Sequence, residues 1–213
     1  MIDFHLQLTK IRRGMKSRAE QREDTRCRIV VAAAKEFSEK GFRAASTRDI
    51  AARAGVNQGL ITYYFQSKQE LWKAAAGRIF DQLQEVLEQP LEGVDAADAR
   101  ARTRERIREY VRFVAAHPEL FRLMVEEGKQ SDARMRWLVD TYLKPFYERF
   151  QRLAKNNSAV DRKFLAYAFY ALAGGASMIF AIRPECRRLT GLDPADDQVI
   201  ETHAEFMARL LLP

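Results

Sequence analysis

A chain of 213 residues, 47% of them hydrophobic, can bury a sizeable core as one large domain or two small ones, which excludes a disordered polypeptide. Its two cysteines, Cys27 and Cys186, stand far apart without ligand-like neighbours, which excludes a disulfide framework and a zinc site. The formal charge is +7 and sits at the front: residues 1–71 hold 14 Lys/Arg against 8 Asp/Glu, and the rest hold 22 against 21, so a polyanion is expected opposite the N-terminal part only.

The opening Met1-Ile-Asp-Phe-His-Leu6 has no basic run leading into a long apolar stretch, so no secretory leader is expected and the cytoplasm is the expected compartment. Residues 1–22 are basic and aperiodic and read as a flexible arm, in which Lys10, Arg12, Arg13, Lys16 and Arg18 can add minor-groove or phosphate contacts. From Asp24, the residues Ile29, Val30, Ala33, Ala34 and Phe37 recur at helical spacing, and Gly41 falls where a C-terminal cap belongs. Ser46-Thr47 caps a second helix of about two turns that ends at Gly55. Asn57 can cap a third helix, Gln58 to Phe65, and Ser67 with Glu70 forms a capping box for a fourth that runs through Leu71, Ala75, Ile79, Leu83 and Val86 to the break at Gln89-Pro90.

Beyond Pro90 the spacing predicts helices over about 97–116, 118–128, 131–154 with a kink at Pro145, 160–182 and 196–212, broken at His117-Pro118, Asn156-Asn157-Ser158 and Thr190 to Pro194. Strand signals are weak, so the fold class is all-α. The expected domains are the arm (1–22), a helix-turn-helix unit (23–71) and a larger helical domain (72–213). Phe164 to Ile182 is 19 residues without a charge, close to a bilayer span; its Ala, Gly, Ser and Tyr content and basic residues at both ends favour a buried helix, and no membrane association is expected.

Three short helices with a tight turn before the last can place one helix in the major groove of double-stranded DNA while its neighbour braces on the backbone. On the third helix, Ile61 and Phe65 are four apart and can join Ile50, Ala54 and Val56 in a core, while Gln58 and Thr62 share another face. Gln58 and Thr62 are therefore the expected base readers: an amide suits adenine, and a Thr methyl suits thymine. Gly59 lets the backbone approach the duplex, and Tyr63, Thr47, Arg48 and Lys68 are the expected phosphate contacts. Tyr64 falls nearer the buried side.

The stretch Phe37-Ser-Glu-Lys-Gly-Phe42, followed by Ser46-Thr-Arg-Asp-Ile-Ala-Ala-Arg-Ala-Gly-Val-Asn-Gln-Gly-Leu-Ile-Thr-Tyr-Tyr-Phe-Gln-Ser-Lys-Gln-Glu-Leu71, resembles the TetR family of regulators over about residues 26–72. Thr62 stands where that family often has an aromatic residue, which shifts the usual tyrosine phosphate contact to Tyr63. The resemblance implies a homodimeric repressor on a palindromic operator, released when a small molecule binds the divergent helical domain. It also implies dimerisation through the last two helices, here about 160–182 and 196–212. Ala166, Ala173, Gly174 and Ala176 would then allow close approach, and Phe206, Met207, Leu210 and Leu211 would supply apolar contact. Phe113, Phe121, Met124, Trp137, Tyr142, Phe146, Tyr170 and Met178 are the candidate lining of an effector pocket, which would suit an apolar or aromatic ligand.

No paired carboxylates in an apolar setting, no glycine-rich phosphate loop and no Cys/His or Ser/His pair at contact spacing are found, so no enzymatic activity, cofactor or metal is expected. The alternative is a structural DNA binder that reads only the backbone.

Overall fold

The computed structural model describes residues 17–95, 97–155 and 162–212, and these are helical with no strand among them. The helices are α1 (Arg18–Ala44), α2 (Thr47–Ala54), α3 (Gly59–Phe65), α4 (Lys68–Glu88), α5 (Ala99–Ala116), α6 (Glu119–Gly128), α7 (Ala133–Leu138), α8 (Lys144–Lys155), α9 (Leu165–Ala181), α10 (Arg183–Thr190) and α11 (Asp197–Leu211). Helix α1 starts well before Asp24, because Ser17 and Glu20 form a capping box: the Ser17 hydroxyl accepts from the Glu20 amide and the Glu20 carboxylate from the Ser17 amide. The expected arm therefore loses residues 18–22, Arg18 included, to a helix that Ser17 caps; Lys10, Arg12, Arg13 and Lys16 lie outside the described residues. At Gly41 the helical path breaks, with φ 72° and ψ 168°, a region that an L side chain rarely enters, so this glycine ends the regular part of α1 as its position implied.

Helix α4 is the central beam. Leu71, Trp72, Ala75, Ala76, Ile79, Phe80 and Leu83 are buried along it, α1 and α6 pack on its first half, and α5 packs on its second. Gly77 lies so close to the Tyr142 hydroxyl that a Cβ there would stand 2.8 Å from it. The end of α4 falls at Gln89, whose extended backbone is what a residue before proline adopts. Helices α5, α6, α9 and α11 form the rest of the body, with α11 laid along α5.

Two elements depart from expectation. The break near Pro145 is a π-helical segment, Val139–Leu143, immediately before it: Pro145 has no amide hydrogen to offer the Thr141 carbonyl, and the ladder widens so that the Lys144 amide bonds to the Val139 carbonyl. Helix α10 was not anticipated; it carries Pro184 in its first turn and a left-handed Gly191 at its end, both ordinary helix signals that eight residues between two longer patterns obscured. The expected break at Asn156-Asn157-Ser158 lies outside the described residues. No single described helix is long and apolar enough to cross a membrane, and α9 and α10, which pass by length and composition only as a pair, meet at a 79° bend.

Candidate functional site

Helices α1 to α3 share one small core. Ile29, Ala33 and Phe37 of α1, Ile50 and Ala54 of α2, and Ile61 and Phe65 of α3 are all buried, with Val56 and Tyr64 half-buried against them. Helix α3 has seven residues, too few to persist alone, so its place depends on Ile61 and Phe65, the two side chains it buries. The turn before it is built from short-range bonds: Gly55 is left-handed with its amide on Ala51 and Ala52, and the Asn57 side chain accepts from the Gly59 amide at 2.8 Å. Opposite the core, Gln58, Gly59, Leu60, Thr62 and Tyr63 are exposed, and Tyr63 at 62% is the large side chain that stands farthest out.

Polar clamps that the sequence reading did not single out hold this head together. Arg28 of α1 donates to the carbonyls of Ala54 at 2.5 Å and Gly55 at 3.0 Å, fixing the end of α2 at the turn. Glu36 is buried, paired with Lys40 at 2.6 Å and Arg53 at 3.2 Å; Arg53 also grips Glu39, and Lys40 reaches Asp49 at 3.2 Å. These pairs hold the Glu39 and Asp49 carboxyls below their usual range. A signal for Glu36 was present: it lies on the same helical stripe as Ile29, Ala32 and Ala33, where an acid must have a partner.

Gln58 donates from its amide to the Thr47 hydroxyl at 3.1 Å, which joins two of the side chains expected at DNA, and Arg48 next to Thr47 is exposed. Tyr63 accepts from Arg22 at 3.2 Å, which adds an α1 cation to this face. Lys68 is different. It is half-buried, donates to the Arg43 carbonyl at 3.2 Å and lies 4.8 Å from the centre of the Phe42 ring; burial and the Arg134 charge lower its pKa. Arg134 covers the same ring at 3.9 Å and pairs with the buried Glu127 at 3.1 Å, so Phe42 links the head to α6 and α7.

Behind the head lies a cavity of about 950 Å³ between α4, α5, α6, α8 and α9. Phe121, Met124, Phe146 and Tyr170 line it, together with Phe150 and Phe169. Phe113, Trp137, Tyr142 and Met178 do not, which corrects the expected lining. Phe113 is buried against His117; Trp137 meets Trp72 edge-on; Tyr142 stacks on Phe80 at 5.0 Å, its hydroxyl pushed up to about 12 by burial and then Asp81; Met178 is exposed on the outer face of α9.

A three-helix head presenting an exposed helix ahead of a larger cavity-bearing helical body is the construction of a helix-turn-helix protein. Residues 29–75 match the family described as bacterial regulatory proteins, tetR family. The HTH-type transcriptional activator FasR of Mycolicibacterium smegmatis is 31% identical over 105 residues, 49% of this chain and 47% of that protein. The HTH-type transcriptional repressor NicS of Pseudomonas putida is 32% identical over 111 residues, 52% of this chain and 51% of that one. The chain thus spans about half the length of these relatives. A TetR-like transcriptional regulator from Rhodococcus sp. RHA1 has the same fold, with a TM-score of 0.64 at 21% identity, covering 92% of this chain and 96% of that one.

Proposed function

We propose that this protein is a sequence-specific DNA-binding transcriptional regulator in the cytoplasm, acting as a homodimeric repressor that a small molecule releases from a palindromic operator. The observation that carries the reading is α3: buried through Ile61 and Phe65, it turns Gln58, Thr62 and Tyr63 outward on the face that also holds Thr47, Arg48 and Arg22. Gln58 and Thr62 read base edges, and Thr47, Arg48 and Tyr63 position the head on phosphates. Lys68 joins them only by leaving the Arg43 carbonyl.

Pairing of heads is supported by α9 and α11, whose outer faces expose Tyr167 at 73%, Met178 at 53%, Phe206 at 56% and Leu210 at 60%. An apolar patch of this kind on one face marks an interaction surface, and a two-fold dimer sets two heads one helical turn of DNA apart. The cavity supplies the ligand site, and a coupling of about 1–3 kcal/mol between it and the operator is the ordinary scale for such switches. The test combines sedimentation with binding to a duplex enriched from a random pool by the wild-type protein. Leu210→Glu is expected to give a folded monomer that binds this duplex at least 100-fold more weakly. A wild-type monomer that binds it as one copy would overturn the paired reading.

A further inference from the structure

Resting on the ligand-responsive reading above, we propose that the cavity accepts an amphipathic acid, an apolar body carrying one anionic group, and that the anion is received by the cations of its lining, Arg106 and Arg149 at the end of α4 and Lys144 on the rim. The lining is almost wholly apolar, yet its charged side chains, Arg106, Lys144 and Arg149, are all cations, and no Asp or Glu among the described residues lines it. The apolar wall is orderly. Thr103, Arg106, Ile107 and Tyr110 form one stripe of α5; Leu143, Phe146, Tyr147 and Phe150 form one stripe around the start of α8.

The two guanidiniums converge. Arg106 donates to the carbonyls of Val86, at 3.3 Å, and Gln89, and pairs with Glu109 at 2.6 Å. Arg149 donates to the Leu87 carbonyl and pairs with Glu88 at 3.2 Å. Together they occupy the carbonyls that the last turn of α4 cannot bond internally. Lys144 is exposed at the rim and has no hydrogen-bond or ion-pair partner among the described residues. A cationic ligand would meet the unpaired charge of Lys144 and no carboxylate among the described residues of the lining, and a neutral one would gain nothing from that charge. An anion gains charge-assisted bonds stronger than those the neutral carbonyls now make, so it draws the guanidiniums away from α4. Helix α4 begins at Lys68, against the head, and ends at these two arginines, so the anion acts on the element that joins both domains.

The experiment uses the full chain and three ligands that share a ten-carbon tail, decanoate, 1-decanol and decyltrimethylammonium, each competing with the neutral dye N-phenyl-1-naphthylamine. Decanoate is expected to displace the dye at least tenfold more effectively than either other compound, and roughly fourfold more effectively than nonanoate, as one more buried methylene implies. Lys144→Gln and Arg149→Gln are expected to weaken decanoate at least fivefold and leave decanol unchanged. Since Arg149→Gln also loosens α4, exposed Lys144 is the variant that keeps the test independent of folding. Equal affinity for decanoate and decanol, or preference for the ammonium, overturns the head-group assignment while leaving the cavity a ligand site. Failure of the dye and all three compounds to bind overturns the cavity reading itself, and the proposal with it.

Discussion

Adjacent residues on α3 should separate folding from reading. Ile61 is 2% exposed, and Ile61→Ala removes three carbons from the core that holds a seven-residue helix in place. At about 0.8 kcal/mol per buried methylene the transfer loss is roughly 2.4 kcal/mol, and the unfilled space brings the total to about 3–4 kcal/mol. Thr62 is exposed with no hydrogen bond to lose, so Thr62→Ala should change stability by less than about 0.5 kcal/mol. Its effect falls on DNA instead: loss of one base contact is worth about 1–3 kcal/mol, a five- to 150-fold drop for the selected duplex with little change for a random one. Urea unfolding followed by circular dichroism gives the first quantity. Fluorescence anisotropy with both duplexes at fixed salt gives the second. If Thr62→Ala and Gln58→Ala both leave the preference for the selected duplex intact, α3 does not read sequence and the protein is a backbone binder. If Thr62→Ala costs more than about 1.5 kcal/mol of stability, the division of faces is wrong.

Arg28→Met should remove both bonds to the Ala54 and Gly55 carbonyls, lowering stability by about 1 kcal/mol and operator affinity more than affinity for random DNA, as thermal melts and anisotropy will show. Gly41→Ala meets nothing nearer than the Glu126 carboxylate at 3.7 Å, so its loss of about 1–3 kcal/mol, read from the urea midpoint, should reflect backbone conformation alone. His203 has its pKa lowered by burial between α9 and α11, and its Nε2 faces the Gly175 carbonyl at 3.0 Å. A depressed folded pKa means that the unfolded chain takes up the proton first, so stability should fall as pH drops below the ordinary value of 6.5. Denaturation at pH 7.5 and 5.5 should show that fall, and His203→Gln should reduce it.

The head was legible because its determinants are local. Ser46, Gly55, Asn57 and Ser67 act within four residues of themselves, and the faces of α3 follow from a four-residue spacing that one turn of helix makes into contact. Only half of the expected Ser67–Glu70 box forms among the bonds seen, the Ser67 hydroxyl accepting from the Glu70 amide while Glu70 turns to Lys73. What the local pattern could not give was Arg28 or Lys68. Both bond across more than twenty residues to backbone carbonyls, acceptors that every residue carries and that no sequence position distinguishes.

The body was legible as helices but not as walls, and the π segment bears on the misplaced Tyr142. An extra residue within a turn rotates everything after it by about 100° relative to everything before it. Trp137 lies before that step and Tyr142 within it, and they pack on Trp72 and Phe80 of α4; Phe146, Tyr147 and Phe150 lie after it and face the cavity. A single helical wheel drawn through residues 131–154 sets Trp137 opposite Phe146 but brings Tyr142 to about 40° from it, and so merges Tyr142 with the cavity face. The signal that separates them is Pro145, which marks where the ladder must yield. Helical spacing should therefore be counted separately on either side of it, and counted that way Phe146, Tyr147 and Phe150 fall on one stripe after it.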